Sequence, residues 1–428
     1  MEMHAEAGPS ASATGSAGTS GKTPQELANI LAVGEAEISH QPRILSLDGG
    51  GVRGLSSLVI LREIMEEVQR QAKLKETPRP CDYFDLIGGT STGGLIAIML
   101  GRLKMVRGFK FFRVLTAKSI EECIDQYMKL SEEVFNRDHT VFGVLPTGEK
   151  GYRFDSAILE QVIQGLMDTK LKDQNASMAE TDDSNHKICR TFVVATSAAV
   201  AQGPLILFRS YDTHENNASK CAIWKAARAT SAAPSFFDPV FINVPAPGAW
   251  YVDGGLRYNN PAQVALDEAR QCWPRIKRFS VLSIGTGQQT NVEFVNIKYI
   301  QPPKEMKASK GLFTKVMSKV PGRNVIINAP GAAKDMLHIG KACVELSTSS
   351  EPTHEAIVTL ANSKDPHYRF PYYRFNVENG MDSIGLEEWK ANVRIGELTE
   401  QYMRKRERQM DKFACAGNLI NPAPVERT

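Results

Sequence analysis

Leu86 to Leu100 runs Leu-Ile-Gly-Gly-Thr-Ser-Thr-Gly-Gly-Leu-Ile-Ala-Ile-Met-Leu, an apolar strand pinched by glycines and followed by an apolar helix. No other stretch constrains the chain as much, because a strand that turns straight into a helix is the unit of a layered α/β fold. Within it, Gly89, Ser91 and Gly93, with Thr90 and Thr92 between them, have the spacing of a nucleophile elbow. A serine at so sharp a turn is held in strained backbone, its neighbours must be small, and its hydroxyl points out of the turn. The helix behind it presents its N-terminus to developing negative charge. The same residues also fit a glycine-rich turn in which Ser91 only caps a helix.

The surroundings of the elbow separate these readings. Arg43 to Leu47 reads as a strand, then Asp48-Gly49-Gly50-Gly51-Val52-Arg53-Gly54 as a loop. Leu58, Leu61, Ile64, Met65 and Val68 then fall at helical spacing. In such a loop, consecutive backbone N–H groups converge on one small volume, the layout of a phosphate cradle or an oxyanion loop. Gly49, Gly51 and Gly54 formally match a dinucleotide fingerprint, but Asp48 and Arg53 do not suit a pyrophosphate-binding turn. A third motif, Asp253-Gly254-Gly255, follows the strand Trp250 to Val252. Together the three motifs contain the parts of acyl transfer. Ser91 is the candidate nucleophile and Asp253 the candidate base. The N–H groups of Gly50, Gly51 and Val52 are candidate donors to a tetrahedral oxyanion. The histidines downstream of the acid, His338, His354 and His367, lack motif-like surroundings, so a Ser-Asp dyad is expected.

Further apolar runs at 191–196, 204–209 and 279–284 read as strands. Residues 151–167, 222–232 and 261–272 read as helices, 169–187 as a polar loop, and 386–413 as a charge-mixed helical cover. Alternation of this kind implies an α/β sandwich around a mainly parallel sheet. Composition narrows the function. A net charge of +3 gives no case for nucleic-acid binding. Seven scattered cysteines without a CxxC pair argue against a disulfide framework and a zinc site, and for a reducing, cytoplasmic setting. No stretch reaches the roughly 18 apolar residues of a membrane span, and the first residues lack the apolar core of a signal peptide.

The three motifs resemble those of the patatin-like phospholipases, lipid acyl hydrolases with a Ser-Asp dyad. Ala229-Thr-Ser-Ala-Ala-Pro234 and Leu282-Ser-Ile-Gly-Thr-Gly287 are also similar to that family, and the resemblance covers about residues 43 to 290. It implies a patatin-type three-layer α/β/α sandwich with a helical C-terminal cap similar to that of fungal members. It also implies Ser91 as nucleophile, Asp253 as base, and Gly49, Gly50, Gly51, Val52, Arg53 and Gly54 as the oxyanion loop. The expected function is hydrolysis of glycerolipid esters without metal or cofactor, at a membrane or lipid-droplet surface to which the protein is peripherally bound. The alternatives are a non-enzymatic lipid-binding or signalling module of the same fold and, behind it, a nucleotide-dependent enzyme. Residues 1–40 are expected to be a disordered tail and linker, with a short helix from Thr23 to Val33. Residues 41–290 are the expected catalytic core, and 291–428 an extension packed on it. Two segments stand out. Val106 to Lys118 interrupts a junction that is nearly direct in similar sequences, and reads as a retained intron or gene-model error. Residues 300–323 have the pattern of a basic amphipathic helix, either a membrane-facing lid or an ordinary surface helix.

Overall fold

The computed structural model describes residues 40–105, 119–136, 153–180, 189–199, 204–234, 236–288, 350–365 and 369–424. The expectations for the N-terminal tail, for Val106 to Lys118 and for residues 300–323 lie outside these residues.

The strands are β1 (Arg43–Leu47), β2 (Leu86–Thr90), β3 (Arg190–Ser197), β4 (Leu205–Arg209), β5 (Val240–Ile242), β6 (Ala249–Asp253), β7 (Ser280–Ile284) and β8 (Tyr372–Phe375). Up to β5 the helices are α1 (Gly54–Gln71), α2 (Pro80–Tyr83), α3 (Thr92–Ala97), α4 (Ser119–Phe135), α5 (Ser156–Leu171) and α6 (Ile223–Thr230). They are followed by α7 (Gly255–Tyr258), α8 (Ala262–Cys272), α9 (Glu351–Ala361), α10 (Asn392–Met403) and α11 (Arg406–Ile420).

All eight strands join one sheet, in the order β5-β6-β3-β2-β1-β7-β8, with β4 paired to β3. Side chains alternate across it, as the two-residue period of a strand requires. Leu45, Leu47, Ile87, Val193 and Leu282 enter one apolar core with α1, α3, α4, α5 and α6. Ile44, Leu86, Phe192 and Val281 enter the other with α8 and α9. Both faces are therefore covered, and the fold is the expected α/β/α sandwich. Its centre is parallel, in the pairs β3–β2, β2–β1, β1–β7 and β7–β8. The pairs β3–β4, β3–β6 and β5–β6 are antiparallel. Among the described residues no helix is long and apolar enough to cross a membrane.

One detail of the pairing positions the site. Phe192 to Val194 of β3 pair with both β2 and β4, which must occupy opposite edges of the strand. Ala195 and Thr196 pair with β4 and β6, so β6 takes the edge that β2 leaves. The register passes from Thr90↔Val194 to Asp253↔Ala195. Asp253 is thereby set at the end of β2, where the chain turns through Ser91.

The C-terminal region forms the expected helical cover and adds to it. It supplies β8, which extends the sheet beside β7, before α10 and α11 pack on α1. Those helices break at Arg404–Lys405 rather than forming one continuous element. The polar loop expected at 169–187 also differs. Residues 169–171 complete α5, and Met178 is buried, its N–H bonded to the Cys221 carbonyl at 2.8 Å. The cysteines among the described residues are buried free thiols.

Candidate active site

Ser91 adopts φ 54° and ψ −125°, a left-handed conformation for a residue with a side chain. Such strain costs roughly 1–3 kcal/mol and persists only where the surroundings enforce it. The enforcement is visible on both sides. A Cβ on Gly89 would lie 2.0 Å from the Gly93 carbonyl oxygen, and one on Gly93 would lie 2.2 Å from that of Leu47. The Ser91 N–H donates to Thr230 Oγ1 at 2.9 Å, and that hydroxyl donates onward to the Val194 carbonyl at 2.6 Å. Thr90 and Thr92 are both buried, and Thr90 Oγ1 donates to the Tyr258 carbonyl at 2.6 Å.

Held in this way, the Ser91 hydroxyl donates to Asp253 Oδ2 at 2.6 Å. The other carboxylate oxygen accepts the Gly255 N–H at 2.7 Å. Asp253 is anchored through its backbone as well: its N–H donates to the Ala232 carbonyl, and its carbonyl accepts from Thr196 Oγ1. Burial pushes the carboxyl from 3.8 up to about 7, and its two hydrogen bonds offset only part of that effect. The result is a carboxylate basic enough to accept a serine proton near neutral pH. The Gly254 position, like those of Gly89 and Gly93, has no room for a side chain, since a Cβ there would lie 2.7 Å from the Val194 carbonyl oxygen.

In the glycine loop, the N–H groups divide into two sets. Those of Gly49 and Val52 donate to the carbonyls of Asn259 and Leu386. Those of Arg53 and Gly54 close the short 3-10 turn at Gly51–Arg53. Val52 therefore departs from its expected place among the oxyanion donors, because its N–H serves as a tether to the C-terminal region. Among the described residues, no backbone carbonyl takes the N–H groups of Gly50 and Gly51, and both residues line the same pocket as Ser91 and Asp253. Gly51 has φ +55°, and a Cβ there would strike the Leu386 carbonyl. The Tyr127 hydroxyl donates to the Gly51 carbonyl, so the peptide between Gly51 and Val52 is clamped at both ends.

The C-terminal region also reaches the first residue of the loop. Arg374 on β8 makes a two-pronged pair with Asp48, Nη1 to Oδ1 at 3.0 Å and Nη2 to Oδ2 at 2.7 Å. It also donates to Ser283 Oγ and Ser350 Oγ. Both members are buried. Burial pushes the Asp48 carboxyl up, and the guanidinium pulls it partly back. Sequence reasoning missed Arg374, Leu386 and Tyr127, since each reaches the loop from a distant, unremarkable stretch. Thr230 lay within a recognisable run but carried no assigned role.

The pocket beyond Ser91 is apolar. Leu95, Leu130, Val134, Phe135, Leu159, Phe236 and Phe237 line it, with Leu256 and Leu386 at the loops. No histidine among the described residues lines it. His354 instead meets the Tyr372 hydroxyl at 3.0 Å, on α9. Among the described residues, no cluster of three His, Cys, Asp or Glu side chains is arranged to hold a metal ion.

The sequence matches the family described as "Patatin-like phospholipase" over residues 45–266. It is 30% identical over 255 residues to the human "Calcium-independent phospholipase A2-gamma", covering 58% of this chain and 28% of that protein. It is 32% identical over 277 residues to "Patatin-like protein 2" of Arabidopsis thaliana, covering 60% of this chain and 62% of that one. To the "85/88 kDa calcium-independent phospholipase A2" of Rattus norvegicus it is 25% identical over 412 residues, 90% of this chain and 41% of that protein. The chain thus spans less than a third of the length of the first curated relatives it matches. The family match takes in the glycine loop, the elbow and the acid motif, and with them the pocket they share: the chain belongs to the patatin-like phospholipase family.

Proposed function

We propose that the protein is a lipid acyl hydrolase that cleaves carboxylic esters of glycerolipids through Ser91 and Asp253. The observation that carries this reading is the 2.6 Å hydrogen bond from Ser91 Oγ to a buried carboxylate at the mouth of an apolar pocket. Phospholipase names among the relatives support it. The Asp253 carboxylate takes the Ser91 proton as Oγ attacks the ester carbonyl carbon. The tetrahedral oxyanion is held by the Gly50 and Gly51 N–H groups, already oriented by the clamped loop. Collapse breaks the ester C–O bond, and the proton on Asp253 passes to the departing alcohol oxygen. Water then attacks the acyl-serine while Asp253 takes its proton, and Ser91 leaves with that proton as the fatty acid is released. No step requires an imidazole or a metal.

The apolar pocket takes the acyl chain, and the protein works at the surface of a membrane or lipid droplet on the cytoplasmic side. We read residues 41–290 as the catalytic core and 291–428 as an extension of the same domain, a reading supported by the pairing of β8 with β7.

The test is release of free fatty acid from phospholipid, galactolipid and triacylglycerol dispersions, in the presence of a chelator. Wild-type protein is expected to release fatty acid, with the preferred dispersion naming the substrate class. Ser91→Ala, folded by circular dichroism, is expected to lose at least about a thousandfold in rate. Comparable release by wild type and Ser91→Ala would remove the serine mechanism. Binding of lipid by wild type without release would favour a non-enzymatic module.

A further inference from the structure

The β5–β6 hairpin stands on the sheet end that carries Ser91 and Asp253, and its outer half has no packing partner among the described residues. Residues 239–252, Pro-Val-Phe-Ile-Asn-Val-Pro-Ala-Pro-Gly-Ala-Trp-Tyr-Val, carry no charge. Val240, Ile242 and Tyr251 point inward and are buried in the core. Phe241 and Trp250, directly opposite each other in the register, point outward. They are 42% and 47% exposed, with ring centroids 5.4 Å apart. Val244, Pro245, Ala246 and Pro247 at the tip are exposed too. An outer strand face of a protein in water ordinarily carries polar side chains; this one carries an aromatic pair and an apolar tip.

Height above the site follows from the pairing. Asp253 is level with Ala195, whereas Trp250 accepts the N–H of Ala198. Three residues of strand separate them, so the aromatic pair stands about 10 Å beyond the dyad. The neighbouring β3–β4 connection is uncharged from Ser197 to Leu205, and its described residues Ala198, Ala199 and Pro204 are exposed.

We propose that this hairpin is a prong that seats the active-site end of the protein in the interface of a neutral lipid surface. The proposal rests on the reading of the protein as a hydrolase of aggregated lipid. Three features favour lipid over other occupants. An uncharged, convex tip complements a medium in which any charge would be expensive to bury. Tryptophan beneath an apolar tip matches the preference of that ring for the boundary between hydrocarbon and headgroups. A second copy of the chain could add to the open edge of β5, but that strand has three residues and is followed closely by two prolines that lack an N–H, a poor template for strand addition. Because the prong has no charge, adsorption should need no anionic lipid and should persist at high salt.

The test uses vesicles of ether-linked phosphatidylcholine, which present the surface but no ester to cleave. Wild-type protein is expected to float with them equally in 0.15 M and 1 M salt. Phe241→Ser/Trp250→Ser is expected to partition roughly ten- to a hundredfold more weakly and to hydrolyse a soluble short-chain ester at the wild-type rate. Phe241→Leu should restore part of the binding lost in Phe241→Ser. Equal flotation of the double variant and wild type overturns the proposal, as does flotation abolished by salt. A wild-type dimer that the double variant reduces to a monomer assigns the face to a second copy and overturns it as well. Soluble-ester hydrolysis without prong-dependent flotation removes the prong and leaves the hydrolase reading standing. Prong-dependent flotation without hydrolysis of any ester keeps the prong and removes the hydrolase.

Discussion

Asp253→Asn is expected to lose about 10³- to 10⁴-fold in turnover while folding more stably than wild type at alkaline pH. The two effects share one cause. The carboxyl is buried, accepts from Ser91 and Gly255, and is raised by burial to about 7. A carboxyl whose folded value lies above its unfolded one contributes stability that is fully present below the unfolded value and lost as pH rises through the folded one. Between the ordinary 3.8 and about 7 the folded state therefore weakens steadily with pH, by as much as about 4 kcal/mol. Asparagine keeps one oxygen to accept the Gly255 N–H, its amide NH2 can donate to the Ser91 hydroxyl oxygen in place of accepting from it, and it cannot ionise. Its melting temperature should exceed that of wild type at pH 8, and the gap should close towards pH 4. Wild-type kcat/KM on a soluble ester should rise through an apparent pKa near 7, because only the carboxylate takes the serine proton. A variant that melts below wild type at pH 8, or keeps its turnover, would contradict the assignment of Asp253 as a buried base.

Arg374→Met is the second large effect. It leaves Asp48 buried at the head of the glycine loop without its guanidinium. Removing one member of a buried pair typically costs about 3–5 kcal/mol, since the remaining charge has neither water nor partner. The expected result is a much lower midpoint in urea, or insoluble protein. Asp48→Asn/Arg374→Met separates stability from catalysis. With both charges gone, most of the stability should return, while kcat stays low at nearly unchanged KM because the loop has lost its anchor. Full recovery of kcat in the double variant would show that the pair serves folding alone.

These two residues also mark how far the sequence could be read. Asp253 was legible because its motif is local. A strand, an aspartate and two glycines are neighbours in the chain, and their residue types are dictated by a turn. The same holds for Ser91 and the loop at 48–54. Arg374 was not, because it lies 326 residues from Asp48 and sits in a strand of four. The run Arg369-Phe-Pro-Tyr-Tyr-Arg-Phe-Asn-Val377 is rich in aromatic and strand-forming residues, and was the available signal for β8. The division of the loop's N–H groups was equally out of reach. Whether the Val52 N–H faces substrate or a tether depends on the carbonyl of Leu386, which no local pattern predicts. The sheet's parallel centre followed from alternating strands and helices, whereas β5, three residues long, is too short for periodicity to register.

The tether at Leu386 and the pair at Arg374 have a consequence for the timing of synthesis. The glycine loop leaves the ribosome more than 300 residues ahead of its partners on the C-terminal side. At roughly 5–20 residues per second, that interval is on the order of tens of seconds. For the last part of it, once Asp253 has been made, the elbow and the acid motif coexist in a growing chain whose glycine loop is not yet held in place. Chains stalled before Tyr372 should therefore be silent towards a soluble ester, and activity should appear only once β8 and the segment behind it have been added. Any activity of the Ser91–Asp253 pair would in this way be withheld until the C-terminal partners of the glycine loop have been made.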